Sequence, residues 1–114
     1  MAGSYDLEYK KNGSYRPVLD ESGKYYKSFK TIASARKYAM SMFRKDWYDL
    51  VAVFGGGKYL GIDKVSGKKM YEGRTAGIIT CEFNSNGNRV FVYQNYINGT
   101  KTILKKDGTT GRRY

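Results

Sequence analysis

The sequence has no histidine, one cysteine, one proline and no long apolar run. Each shortage removes a class of function. Without histidine there is no side chain whose ordinary pKa suits proton transfer near neutrality, so serine and cysteine triads built on it are excluded. Cys81 is alone, so no intramolecular disulfide can form, and the sets of four thiolates and imidazoles that structural zinc requires cannot be assembled. Its setting, Ile78-Ile79-Thr80-Cys81-Glu82-Phe83, is that of a strand, where a thiol is expected to be buried and inert. No stretch approaches a membrane span and the N-terminus lacks a signal-like apolar segment, so a cytoplasmic protein is expected, in a host cytoplasm if the source is a phage. Acidic residues are also scarce.

What is abundant is positive charge. The 114 residues carry 21 Lys+Arg against 10 Asp+Glu, a formal net charge of +11, together with 12 Tyr and 14 Gly. Residues 58–114 hold 11 basic and 4 acidic side chains, against 10 and 6 in residues 1–57, so the second half carries the stronger field. A hydrophobic fraction of 40% with 16% aromatics is enough for one core and too much for a disordered chain. The length fits one domain and not a two-domain enzyme with an interdomain cleft. The Tyr- and Lys-rich composition resembles that of small proteins of phages and mobile elements.

Tyr5, Leu7 and Tyr9 alternate with Asp6, Glu8 and Lys10, the period of a half-buried strand. Asn12-Gly13 and Asn98-Gly99 are tight-turn dipeptides rather than glycosylation sites. Ser14 to Val18 follows as an edge strand, because Pro17 cannot donate to a ladder, and Lys24 to Phe29 is expected to be a third strand. Thr31 is the expected N-cap of a helix over Ile32 to Lys45, with Ile32, Ala35, Ala39, Met42 and Phe43 on its apolar stripe. Arg36 falls on the shoulder of that stripe and needs a specific partner. Leu50 to Phe54 reads as a deeply placed strand. The expected order then continues with Lys58 to Lys64, carrying Leu60 and Ile62 inward, Lys68 to Glu72, Ala76 to Phe83, Arg89 to Ile97 and Thr100 to Lys105. Residues 107–114 read as a flexible basic tail.

The pattern predicts an α+β fold. One amphipathic helix packs on a bent, mostly antiparallel sheet of six to seven short strands, forming a single compact domain over residues 1–106. A helix about 21 Å long cannot cover both faces of such a sheet. The uncovered face is expected to meet water, a ligand, the sheet curling on itself, or a second subunit in a homodimer.

Cations interleaved with aromatics form the main functional signal, as in Tyr9-Lys10-Lys11, Lys24-Tyr25-Tyr26-Lys27, Arg36-Lys37-Tyr38 and Lys68-Lys69-Met70-Tyr71. Single-stranded nucleic acid needs cations along its phosphates and aromatic faces under its bases. The residues expected to bind nucleic acid or a phosphate are Arg36, Lys37, Arg44, Lys58, Tyr59, Lys68, Lys69, Tyr71, Arg74, Arg112 and Arg113. Gly55-Gly56-Gly57-Lys58 is not a phosphate cradle of the P-loop kind, since a strand rather than a helix follows. No metal site, cofactor or catalytic residue is expected. The expected function is a non-enzymatic protein whose Lys/Arg- and Tyr-rich sheet face binds nucleic acid or a nucleotide. The alternative is a phage-type inhibitor or interaction module that docks on an acidic surface of a protein partner.

Overall fold

The computed structural model describes residues 5–55, 59–65, 67, 69–71 and 74–114. Among the described residues, seven antiparallel strands form one open sheet with a single helix on one face, as an α+β fold requires. In chain order these are β1 (Tyr5–Lys11), β2 (Ser14–Pro17), α1 (Ile32–Lys45), β3 (Leu50–Gly55), β4 (Tyr59–Ile62), β5 (Lys69–Tyr71), β6 (Thr75–Phe83), β7 (Arg89–Asn95), β8 (Lys101–Leu104) and β9 (Thr110–Arg113). The main sheet runs β2-β1-β3-β6-β7-β8-β9, and β4 and β5 form a separate pair between β3 and β6. No helix among the described residues is long and apolar enough to cross a membrane.

Local chemistry explains most boundaries. Asn12 and Gly13 both take positive φ, at 53° and 83°, which is the backbone that a two-residue hairpin between twisted strands demands. β2 is an edge strand, consistent with its proline. Thr31 caps α1 by accepting the Ser34 N–H at 3.1 Å. Arg44 and Lys45 in the last turn face the negative end of the helix macrodipole. Ala35, Ala39, Met40 and Phe43 bury against Leu7, Val51, Val53, Ile79 and Tyr93 of the sheet. Every second residue of β1, β3, β6 and β7 supplies this core, and the residues between them point to the open face.

Three sequence expectations are corrected. Residues 24–29 do not form a strand: only the bridges Leu19 to Tyr26 and Tyr5 to Phe29 occur, because β2 already pairs with β1 over Glu8 to Lys11 and leaves little free edge. Residues 107–114 are not a tail. The Asp107 carboxylate accepts the backbone N–H and the hydroxyl of Thr109 at 3.0 and 2.6 Å, Gly108 turns the chain at φ 89°, and β9 then pairs with β8. Leu60 and Ile62, expected inward, are 60% and 52% exposed, since the β4–β5 pair stands apart from the main sheet.

Glycine is required at Gly77, where a Cβ would lie 2.6 Å from the Tyr93 hydroxyl oxygen. The strand passes so close to this ring that no side chain fits. Gly108 meets α1 in the same way, its Cβ position colliding with the Ala33 carbonyl.

A candidate nucleic-acid interface at the C-terminal end of the helix

The open face carries Lys10 over the Tyr15 ring at 5.5 Å but mixes such pairs with acids. Tyr5, Tyr9 and Tyr93 pack toward the helix, and strand alternation sends Asp6, Glu8 and Glu82 to the open side. There burial, then the Glu8 charge, push Asp6 up to about 6. The Tyr26 hydroxyl donates to Glu8 at 2.6 Å, and that bond is the main reason its pKa is pushed up to about 12.

Cations and aromatics also meet around the last turns of α1. Between the helix and the β1–β2 edge lies a cleft of about 350 Å³ lined by Tyr9, Pro17, Val18, Leu19, Tyr38, Ser41, Met42, Lys45 and Tyr48. No carboxylate is among them. Tyr9 and Tyr48 hold each other edge to face with ring centres 5.0 Å apart, so both walls are set before any ligand arrives. Lys27 lies 5.4 Å over the Tyr38 ring, and Lys11 lies 5.5 Å over Tyr48. Lys11 also bonds Asp46 at 2.6 Å, and this bond holds the Asp46 carboxyl below its ordinary pKa and lifts that of Lys11. Asp49 accepts the Gly13 N–H at 3.0 Å. Both acids next to the cleft are thus engaged. Burial, then the Asp46 charge, raise the Tyr48 phenol, so it stays a neutral hydrogen-bonding group at neutral pH.

Phe43 links the cleft to the other flank of the helix. Its ring is 5.9 Å from Tyr48 and 5.8 Å from Phe91. Arg44 and Arg89 lie 5.6 and 5.7 Å from the Phe91 ring. Trp47, the first aromatic after the helix, is 59% exposed. The helix terminus is therefore flanked on both sides by cations over aromatic faces.

The sequence-predicted residues are dispersed. Arg36 is buried, stacks 4.7 Å over Tyr93 and donates its Nε–H to the Gly108 carbonyl at 2.8 Å. It holds the β8–β9 turn onto the helix and is not free for a ligand. Arg44 belongs to the interface. Lys37, Arg74, Arg112 and Arg113 are exposed but separate from the cleft. The backbones of Tyr59, Lys69 and Tyr71 lie in β4 and β5, with Tyr59 opposite Tyr71. Lys58 and Lys68 lie outside the described residues. The cleft residues Tyr9, Tyr38 and Lys45, with Lys11 and Lys27, were absent from the expected set, although the interleaving of cation and tyrosine at Tyr9-Lys10-Lys11 and Arg36-Lys37-Tyr38 already marked two of these segments.

Cys81 is partly buried, and that burial raises its thiol pKa, which makes it a poor nucleophile. Among the described residues no group of three or more metal-ligating side chains occurs. No family model, curated protein or solved structure matches the chain.

Proposed function

We propose that this protein is a non-enzymatic binder of single-stranded nucleic acid or of a nucleotide, and that a base enters the cleft beside the C-terminal end of α1. The observation that carries this reading is the convergence of three tyrosines and a lysine in one cleft lined by no carboxylate. The cleft has the size of a nucleoside rather than of a larger cofactor. Tyr9, Tyr38 and Tyr48 offer faces and hydroxyls to the base, and Met42 and Leu19 its apolar floor. Backbone amides cannot hold phosphate at this end of a helix, because the carbonyls there carry the negative pole. Lys45, Lys27 and Arg44 supply the positive charge instead. A single strand leaving the cleft would cross Trp47 toward Phe91 and its two arginines.

Trp47 is the only tryptophan, so its fluorescence reports directly on this surface. Titration with a short single-stranded oligonucleotide is expected to quench it, with affinity falling as salt rises by about 0.7 logarithmic units per unit for each phosphate contacted. Tyr38→Ala is expected to weaken binding by about 1 to 3 kcal/mol, the worth of one stacked base. A flat salt response, or an unchanged affinity in both Tyr38→Ala and Lys45→Ala, would remove the reading. Quenching by polyglutamate at the same affinity would favour an acidic protein partner instead.

A further inference from the structure

The open face of the sheet has a charge pattern that is complementary to itself. Five neighbouring strands place Glu8, Ala52, Ile78, Gln94 and Lys101 in one row across it, each paired with the next. The row starts with an acid on β1, has an isoleucine at its centre on β6 and ends with a base on β8. β1 and β8 each lie two strands from β6. Rotating a second copy by half a turn about an axis along β6 lays β1 of one chain over β8 of the other. Glu8 then faces Lys101 of the second copy, Lys101 faces Glu8, and Ile78 meets its own equivalent on the axis. This is the reciprocity that an isologous contact requires.

We propose that two copies of this chain associate through their open sheet faces, with Glu8 and Lys101 forming two symmetric ion pairs at the flanks. The next row supports the same axis, since Thr80, Val92 and Ile103 are paired on β6, β7 and β8, and Lys10 and Leu50 are paired on β1 and β3. The rotation sets the stem of Lys10 toward the half-buried Ile103, while Val92 is already buried within its own chain. Charge also selects this face. Two chains of +11 repel each other overall, so association favours a surface where acids and bases are balanced. Asp6, Glu8 and Glu82 provide that balance here.

Seven strands about 4.8 Å apart and roughly five residues long give a face near 500 Å², or about 1,000 Å² for the pair. That is the lower limit for a specific interface, so the dimer should be a weak one. It leaves the helix side, and any ligand site there, facing outward on both copies.

Sedimentation equilibrium of the full chain over a wide concentration series tests the proposal. The parent is expected to form dimers. Lys101→Glu and Glu8→Lys are each expected to weaken the dimer on the order of tenfold, because each sets like charges opposite one another. The double variant exchanges the charges and is expected to restore it. Lys101 is exposed on a strand, so its variant should fold even if loss of the Tyr26 bond disturbs Glu8→Lys. Circular dichroism checks folding in each case. A parent that stays monomeric at every concentration overturns the proposal, and so does a folded Lys101→Glu that dimerises like the parent.

Discussion

Replacing Arg36 by alanine tests a specific long-range contact between α1 and the β8–β9 turn. Arg36 is 7% exposed, and its guanidinium lies 4.7 Å over the Tyr93 ring and donates to the Gly108 carbonyl at 2.8 Å across 72 residues of chain. A hydrogen bond from a charged donor is worth about 1.5 to 3 kcal/mol, and a desolvated cation over a phenol face about 2. The two together put the expected loss at about 3 to 5 kcal/mol, and a domain of this size loses about 4 °C in Tm per kcal/mol. Calorimetry should therefore find the variant melting roughly 12 to 20 °C below the parent. Arg36→Lys should fall between them, since an ammonium keeps the charge but neither the planar stack nor the Nε donor. Truncation after Lys106 removes the acceptor and β9 together and should be strongly destabilising by itself. In that background Arg36→Ala should cost clearly less, because the two changes share one contact. A Tm within 2 °C of the parent, or strict additivity with the truncation, would show that the turn is not held in this way.

Asp6→Asn should raise the Tm at pH 7 and leave it unchanged below about pH 4. The folded carboxyl is raised to about 6 by burial and by Glu8, so the folded state binds more protons than the unfolded one between those pH values, and stability falls as pH rises through them. Gly77→Ala should cost more than 3 kcal/mol in urea unfolding or prevent folding, because its Cβ would press on the Tyr93 ring and on the Gln94 carbonyl. Maleimide should label Cys81 more slowly than a free thiol at pH 8, and at the free-thiol rate only in urea, since burial raises its pKa.

The parts of the fold legible in the sequence are those governed by short-range rules. The helix bounds follow from a threonine cap and a 3.6-residue stripe, and the observed element covers the same residues, Ile32–Lys45. The apolar run of β3, the strands β6 and β7 and the Asn12-Gly13 turn follow equally from local chemistry. The errors lie where a partner decides. Residues 24–29 have the composition of a strand, but the neighbouring edge was taken. Thr110-Gly111-Arg112-Arg113 looks too polar and too rich in glycine for a strand, yet Asp107-Gly108 is a hairpin turn signal of the same kind as Asn12-Gly13. The same turn chemistry returns the chain into β9.

The candidate site was legible as a composition and not as a place. Cations beside tyrosines occur along the whole chain, and period 2 decides only that neighbours face opposite ways, not which side the helix covers. Leu7 settles it. Being the buried residue of β1, it carries Tyr5 and Tyr9 with it to the helix side and leaves Asp6 and Glu8 outside. The same alternation that builds the core thereby puts the two β1 tyrosines on the side opposite the β1 acids, against the helix. The cleft forms on the margin where Tyr48, just past the helix end, returns to meet Tyr9. Lys45 and Lys11 come with these two tyrosines, because each is only two or three residues away in sequence from one of them. Arg36 shows the converse. It had every sequence mark of a ligand-binding cation, but the apolar stripe drew it under the β8–β9 turn, where a carbonyl rather than a phosphate satisfies it.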